Sequence, residues 1–340
     1  MPLSQCARPR VALLRALHIM DTAAASCYAV GGFVRDSLLG RRAQDIDVVI
    51  PGDFTAVARR VAQELGASFV PLDQERGIAR VVCPPARQGA DVPQEPAEDD
   101  ALVIDFAGYK GALADNLSTR DFTIDALALP VSLVAANLTE AGLPGDTVLD
   151  QVIDPAGGLD DLASGLIRAC TDQAFEADPG RLLRAVRLSR ELGFRIENHT
   201  ESLLRSHAHL AATVAAERTR EELVKLLALP NAAGGIRRLD SLGLLTTILP
   251  ELAECRHVTQ PTSHFWDVLE HSIQTITTYE FVTRQGDWQY GNDEVLDCVP
   301  DDPAYDAYFQ GMLAADASID TIVKLTCLLH DVAKPQTKSL

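Results

Sequence analysis

Apolar residues in the first part of the chain fall into short runs and helical patterns. One short apolar run ends at the pair Gly31 and Gly32, and a second, Ile46–Ile50, is typical of a β-strand. Apolar positions at helical spacing predict one helix within residues 1–27 and another over Phe54–Leu65. Further strands are predicted over Ala67–Leu72, Ile78–Val82 and Leu102–Phe106.

Beyond about residue 150 the pattern of apolar positions becomes helical. A long amphipathic helix is predicted over Phe175–Phe194, with Asp178 as its N-cap and Pro179 as its first helical residue. Further helices are predicted over Glu217–Leu229 and, as a short pair, over Ile236–Leu252. Two stretches rich in Pro, Asp or Gly, 84–100 and 284–317, predict loops.

The composition indicates a soluble protein with a sizeable core. Its 340 residues are 47% hydrophobic, which is enough for two or more domains. The net charge of −18 argues against a uniformly basic nucleic-acid binder, so an RNA-binding surface must be a local cluster of positive side chains. Seven scattered cysteines without C-x-x-C spacing fit reduced thiols. Because no leader is recognisable and no apolar run approaches ~20 residues, we expect a cytoplasmic protein without membrane association.

Asp45 and Asp47 stand two residues apart at the head of a predicted strand. Alternate residues of a strand point to the same face, so the two carboxylates can together hold one or two Mg²⁺ ions. Such a site suits in-line attack of a hydroxyl on a nucleoside triphosphate. The missing Cβ atoms of Gly31 and Gly32 let backbone N–H groups approach a phosphate, and Arg35 adds a charge-assisted contact.

The order of these motifs is more specific than any one of them. A Gly-Gly pair alone is a weak signal, and an isolated Asp-x-Asp more often marks a sheet edge or a turn. Gly31–Gly32, then Arg35–Asp36, then Asp45-x-Asp47 resemble the signature of the polymerase-β-like nucleotidyltransferases, in the branch of the class II tRNA CCA-adding enzymes and bacterial poly(A) polymerases. The resemblance implies nucleotide binding by Gly31, Gly32, Arg35 and Asp36, and catalytic Mg²⁺ at Asp45 and Asp47.

A later segment, DNLSTRDFTIDALALP, extends the resemblance. It is similar to the second family motif, usually RRDFTxNA: Arg120 and Asp121 match, whereas Thr119 and Asp125 replace the first Arg and the Asn. The resemblance implies that Arg120 contacts phosphate and that Asp121 accepts a hydrogen bond from the ribose. An isolated Arg-Asp pair is otherwise a common surface feature. On the preceding predicted strand, Asp105 is a candidate third metal ligand.

Arg181, Arg184 and Arg187 recur every three residues along the first long helix of the helical region. Steps of three drift by about 60° around an α-helix, so the three guanidinium groups cover an arc of roughly 120°. The segment resembles the family motif EDxxR followed by LLRAVRF, with Ala177 in place of the usual Glu. This implies that Asp178 and Arg181 read the base of the incoming CTP or ATP, and that the other two arginines contact the nucleotide. Without the resemblance, a helix cap and a solvated helix face would explain these residues.

The C-terminal part carries His271 on one predicted helix and the pair His330 and Asp331 at the end of another. It resembles the start of an HD domain, whose metal site uses a His, a His-Asp pair and a distant Asp. The last Asp is expected beyond Leu340, so the three residues are a candidate metal site of a longer parent protein. An isolated His-Asp pair is more often part of a capped core helix.

These patterns predict an α+β protein with a mixed-sheet nucleotidyltransferase head over residues 1–150. An all-α neck and body over 151–255 and the start of an HD-type helical domain over 256–340 are expected to follow. The resemblance implies addition of C and A residues to the tRNA 3′ end from CTP and ATP with Mg²⁺. Poly(A) polymerases and CC-adding or A-adding enzymes share these motifs and are alternatives, and an HD phosphohydrolase or nucleotide-binding regulator is an alternative of another class. The oligomeric state is left open.

Overall fold

The computed structural model forms two compact units. The first comprises Met1–Ser164 with Arg168–Thr171, and the second comprises Gly165–Ile167 with Asp172–Leu340. The structure describes residues 9–23, 26–41, 45–73, 77–83, 101–139, 142–143, 148–258, 265–286, 291, 293–314 and 316–337. The loop predicted over 84–100 lies outside these residues. The domain limits predicted at residues 150 and 255 stay predictions.

The first unit is built on a six-stranded mixed sheet in the order β3-β4-β5-β2-β1-β6. β2 and β5 are parallel, and the other neighbouring strands are antiparallel. The strands are β1 (Tyr28–Val30), β2 (Asp45–Pro51), β3 (Ser68–Asp73), β4 (Ile78–Cys83), β5 (Leu102–Tyr109) and β6 (Ala128–Pro130). Together with the helices below, this sheet confirms the predicted α+β class.

Helices cover one face of this sheet. Ile46, Val48 and Ile50 of β2 are buried in the main core, which also includes residues from α1, α3 and α5. The intervening residues Asp45 and Asp47 therefore point to the opposite face. The helices of the unit are α1 (Pro9–Ala23), α2 (Gly32–Leu38), α3 (Thr55–Leu65), α4 (Leu113–Ser118), α5 (Val131–Asn137) and α6 (Gly158–Ser164), with 3₁₀ turns at Thr123–Asp125 and Leu149–Gln151.

The second unit is mostly helical. Its helices are α7 (Ala174–Ala177), α8 (Arg181–Leu192), α9 (Asn198–His207), α10 (Ala216–Leu227), α11 (Ala232–Ser241), α12 (Leu245–Ile248), α13 (Glu251–Glu254), α14 (Val268–Val282), α15 (Pro303–Gln310), α16 (Ile319–Leu329) and α17 (Lys334–Thr337), with 3₁₀ turns at Ala208–Thr213 and Asp293–Cys298. Two small strand pairs complete it: β7 (Leu166–Ile167) with β8 (Arg195–Ile196), and β9 (Met312–Ala314) with β10 (Ala317–Ser318).

Two predictions for this unit were wrong in detail. The helix predicted over Phe175–Phe194 is interrupted: α7 ends at Ala177 and α8 begins at Arg181, later than the predicted start at Pro179. Asp178 still accepts a hydrogen bond from the Gly180 N–H, as an N-cap does, and its carboxylate also pairs with Arg218. The stretch predicted as a loop over 284–317 contains α15 and the β9–β10 pair.

The start of α15 explains the second error. Asp302 accepts a hydrogen bond from the Ala304 N–H at 2.9 Å, and Pro303 occupies the first turn. An Asp cap followed by Pro is a standard signal for the start of a helix. The acidic composition of this stretch concealed that signal.

A buried charge cluster joins three helices of the second unit. Lys324 of α16 is 0% exposed, and its Nζ lies 3.0 Å from an Asp320 oxygen and 3.6 Å from a Glu280 oxygen. Glu280 of α14 also accepts hydrogen bonds from the backbone N–H groups of Ala232 and Ala233, at the start of α11. The cluster therefore supports the relative positions of α11, α14 and α16.

Candidate active site

Three aspartates lie on the face of the sheet opposite the main core. Asp45 and Asp47 are alternate residues of β2, and Asp105 of β5 is the register partner of Asp47. Register partners in parallel strands share a face, so the three carboxylates point the same way. Asp45 is exposed, whereas Asp47 and Asp105 are half-buried. The structure thus places the two predicted metal ligands side by side, with hard oxygen donors of the kind that Mg²⁺ prefers.

Asp105 is already engaged by an arginine that the motifs did not reveal. Arg80 of β4 donates from Nε and Nη2 to the two carboxylate oxygens of Asp105, each at 2.8 Å. This hydrogen bonding, supported by the charges of Asp105, Asp45 and Asp47, raises the pKa of Arg80. A metal ion at Asp105 has to compete with this bidentate pair. The role of Asp105 as a third ligand therefore stays a prediction.

Gly31 brings the β1–α2 turn against this face. Its φ of +72° lies in the left-handed region that glycine adopts without strain. A Cβ atom at this position would lie 2.6 Å from Arg120 Nη1 and 3.1 Å from Asp47 Oδ2. Its own N–H donates to the Leu127 carbonyl at 3.2 Å. Gly31 therefore permits the close approach of backbone, carboxylate and guanidinium.

Arg120 supplies an unsatisfied donor beside this turn. Its Nε is buried and has no hydrogen-bond partner among the described residues. A buried donor without a partner is costly, and an anionic ligand beside Asp47 can satisfy it. The neighbouring Asp121 is 9% exposed, and its Oδ1 accepts a hydrogen bond from the Phe122 N–H at 3.0 Å. Within the first unit, the structure therefore brings together Asp45, Asp47, Gly31 and Arg120.

Arg35 has a different environment from the one expected of a phosphate ligand. It is 4% exposed, and its guanidinium donates to both oxygens of Asp36, at 2.9 and 3.0 Å, and to Asp125 Oδ1 at 2.5 Å. The same guanidinium packs beneath Gly32, with Nη2 3.4 Å from the position of a Cβ atom there. In this arrangement the Arg35 side chain packs against Gly32 and supports the β1–α2 turn. Phosphate contacts by Arg35 and Asp36 stay predictions.

In the second unit, Asp178 is held by Arg218 of α10. Arg218 Nη1 and Nη2 donate to the two Asp178 oxygens at 2.9 and 2.8 Å. Burial disfavours the charged form of Asp178, but the bonds from Arg218 and from the Gly180 N–H outweigh it and lower the pKa of this carboxyl. Arg218 lies in the helix predicted over Glu217–Leu229, which carries none of the residues predicted to bind nucleotide. Its ion pair fixes the orientation of the predicted base reader.

The three arginines of the predicted cationic arc have unequal surroundings. Arg181 and Arg184 are half-buried, and Arg181 Nη1 donates to the Ala174 carbonyl at 3.3 Å. The side chain of Arg187 is 12% exposed and contacts Glu222, with Nε 2.6 Å from Oε2, and Glu191. Its charge is therefore already balanced within the helices. Nucleotide contact by Arg187 stays a prediction that requires a rearrangement of these carboxylates.

The C-terminal histidines and aspartate come together although they are far apart in sequence. One ligand atom from each of His271, His330 and Asp331 lies within 4.8 Å of the others. The Nε2 atoms of His271 and His330 are 3.5 and 3.2 Å from Asp331 Oδ2. His330 Nδ1 contacts the Cys327 carbonyl at 2.9 Å, which assigns the proton to Nδ1 and leaves Nε2 available as a ligand. Lys334 Nζ lies 2.5 Å from the same Asp331 oxygen.

Comparison with known protein families gives two matches along the chain. Residues 27–168 match the poly A polymerase head domain, and residues 193–256 match the probable RNA and SrmB-binding site of polymerase A. These matches confirm the resemblance seen in the motifs. An HD domain stays a prediction.

Curated relatives have the same affiliation. A CC-adding tRNA nucleotidyltransferase of Geobacter sulfurreducens is 40% identical over 220 residues, covering 64% of this chain and 44% of the relative. An A-adding tRNA nucleotidyltransferase of Deinococcus radiodurans is 32% identical over 316 residues, covering 91% and 57%. The chain thus spans about half the length of these relatives.

A solved structure shares the fold. It is a Thermotoga maritima CCA-adding enzyme complexed with tRNA, with a TM-score of 0.60 and 23% identity, covering 98% of this chain and 82% of that one. None of the helices in the described part of the chain combines the length and the apolar character needed to cross a bilayer.

Proposed function

Because the chain belongs to the family of the poly A polymerase head domain and its RNA-binding region, we propose that it adds nucleotides to the 3′ end of tRNA. The observation that carries this proposal is the convergence of Asp45, Asp47, Gly31 and Arg120 on one face of the sheet. Paired carboxylates beside a close backbone approach and an arginine with an unpartnered Nε suit a metal-bound triphosphate.

In the proposed reaction, the RNA 3′-hydroxyl attacks the α-phosphate of the incoming nucleotide. A phosphodiester bond forms, the bond to the β-phosphate breaks, and pyrophosphate leaves. Asp45 and Asp47 are the residues that would hold Mg²⁺, which when bound neutralises triphosphate charge and activates the hydroxyl. Arg120, a half-buried residue whose Nε has no hydrogen-bond partner among the described residues, donates to the phosphates. Asp121 orients the ribose.

The choice of base is assigned to Asp178 and Arg181. Arg218 holds the Asp178 carboxylate ionised and in one orientation, so that it can accept from a base amino group while Arg181 donates. The base amino groups of CTP and ATP can both donate a hydrogen bond to this carboxylate. We therefore propose CTP and ATP as substrates and the complete CCA sequence as the product, with CC-only and A-only addition as the alternatives.

The test is product length. Purified protein is given labelled CTP, labelled ATP or both, with tRNA lacking CCA, tRNA lacking only the final A, and an unrelated oligoribonucleotide. Addition of three nucleotides to the first and one to the second is expected. Addition of only two cytidines to the first RNA assigns a CC-adding enzyme, and addition of adenosine to the second RNA alone assigns an A-adding enzyme. Long adenosine tails on the third RNA assign a poly(A) polymerase. No incorporation on any RNA contradicts the proposal.

A second function is supported by the cluster of His271, His330 and Asp331. Two imidazole nitrogens and a carboxylate oxygen within 4.8 Å can hold a divalent transition metal. We propose that these three residues form part of an HD-type metal site, as in an HD phosphohydrolase. Metal content after dialysis against Ni²⁺ or Mn²⁺ should be about one ion lower in His271→Ala than in wild type. Equal metal content in both contradicts this assignment.

A further inference from the structure

A cavity of about 620 Å³ opens on the second unit, where α8 ends and β8, α9 and α11 begin. Its lining includes Arg190, Arg195 and Arg238, together with Glu197 and Glu201. Three arginines around one cavity are unusual in a chain with a net charge of −18.

The two carboxylates in the lining already have partners. Glu197 accepts hydrogen bonds from the backbone N–H groups of His199 and Thr200, at 3.0 and 2.9 Å, and so caps α9. Glu201 contacts both Arg205 and Arg238, whose hydrogen bonds lower its pKa and keep it ionised. One carboxylate thus serves two guanidinium groups, and the cavity keeps an excess of positive charge.

The other two arginines are available to a ligand. Arg195 is exposed, and within the described part of the chain its side chain has no hydrogen-bond or ion-pair partner. Arg190 is also exposed, and its Nη2 lies 3.5 Å from the Asn231 carbonyl, at the outer limit of a hydrogen bond. Gly234 leaves room for this guanidinium, because a Cβ atom there would lie 3.1 Å from Arg190 Nη2.

The cavity is separate from the predicted base-reading residues. Arg190 lies nine residues after Arg181 on α8, which corresponds to about 14 Å along the helix axis and to its opposite side. A nucleotide bound at Arg181 therefore does not occupy the cavity. The ligand of the cavity is either a different molecule or a different part of the RNA.

We propose that this cavity binds a backbone phosphate of the RNA substrate. The proposal rests on the function proposed above. A guanidinium fork matches phosphate oxygens, and such contacts position an RNA without reading its sequence. The two available arginines suit the single charge of a phosphodiester better than a triphosphate, since Glu197 and Glu201 lie in the same lining and repel a more highly charged ligand.

The test compares the Arg190→Gln/Arg195→Gln double variant with wild type. The control is Arg15→Gln, which changes an exposed arginine of α1 in the first unit. Binding of tRNA lacking CCA is measured by fluorescence anisotropy over a range of KCl concentrations, and CTP binding is measured separately. The double variant should lose about one to two units of slope in the plot of log affinity against log salt. The loss of tRNA affinity in the double variant should be greatest at low salt, and its CTP affinity should be unchanged. The Arg15→Gln control should bind tRNA as wild type does.

Two outcomes overturn this proposal. The first is a salt slope in the double variant equal to that of wild type and Arg15→Gln. The second is a loss of CTP affinity with an unchanged tRNA slope, which assigns the cavity to free nucleotide. The readout is independent of catalysis: wild-type protein that binds tRNA with the expected slope and adds no nucleotide contradicts the proposed function and leaves the phosphate site standing.

Discussion

Replacement of Arg35 by methionine separates a structural role from a phosphate contact. The Arg35 guanidinium is 4% exposed and lies between Asp36 and Asp125, the latter 1% exposed. Arg35→Met removes the positive partner of a buried carboxylate, a change that typically costs ~3–5 kcal/mol. For a unit of about 170 residues this corresponds to a melting temperature lower by roughly 6–20 °C.

Differential scanning calorimetry measures this effect, and Asp125→Asn is the matched control. Asparagine keeps the size and an acceptor oxygen of Asp125 and leaves the bidentate Arg35–Asp36 pair in place. It should therefore cost less than half as much as Arg35→Met. A structural role of Arg35 is excluded if Arg35→Met melts within about 2 °C of wild type, less than ~1 kcal/mol of destabilisation, while its KM for CTP rises strongly. Arg35 would then act on the nucleotide and not on the turn.

Three further predictions concern other residues. Arg218→Ala should raise KM for CTP and ATP several-fold and increase misincorporation. The loss of stability should stay below ~1 kcal/mol, because the ion pair between Arg218 and Asp178 is partly exposed. Unchanged fidelity of incorporation contradicts this prediction. Gly31→Ala should lower the incorporation rate by about a hundredfold, because a Cβ at φ +72° is strained and displaces the Arg120 guanidinium; wild-type rates contradict this. Lys324→Met should destabilise by ~3–5 kcal/mol at pH 8 and by less at pH 5. Burial raises the pKa of Glu280, and the charge of Lys324 partly offsets this increase. Without Lys324 the pKa of Glu280 rises further, so the loss of stability grows as pH increases through that pKa. Equal losses of stability at both pH values in urea unfolding contradict this prediction.

The strands and the carboxylate face were predictable because their signals are local. Asp45 and Asp47 share a face through strand periodicity alone, and the alternation of Ile46 and Val48 with them identifies the buried side. Helix boundaries were less predictable where a side chain near the boundary forms an ion pair with a residue distant in sequence. Asp178 has the sequence context of a helix cap and accepts a hydrogen bond from the Gly180 N–H, but its carboxylate also binds Arg218, forty residues away, and the helix begins only at Arg181.

Long-range ion pairs account for most of what the sequence could not indicate in the site. Arg35 meets Asp125 across 90 positions, and Arg80 meets Asp105 across 25. Neither pair follows a periodic pattern, since both depend on which strands and turns become neighbours in the sheet. One signal for the Arg35–Asp125 pair was present in the sequence, where Asp125 replaces the Asn of the family motif. A carboxylate that is buried at this position requires a positively charged partner.

The proposed joint role of Asp45 and Asp47 in nucleotidyl transfer can be measured through the single-turnover rate of the Asp47→Asn variant. Labelled CTP is added to the protein bound to tRNA lacking CCA, in Mg²⁺ buffer, and the first cytidine addition is timed. Asparagine keeps the size of the side chain and removes the charged ligand. The rate should fall by more than about a hundredfold, since loss of a direct ligand costs at least as much as loss of an outer-shell partner, and CTP affinity should stay within a few-fold. A rate within about tenfold of wild type, the smallest effect expected even of an outer-shell change, would contradict a direct role of Asp47 in holding Mg²⁺.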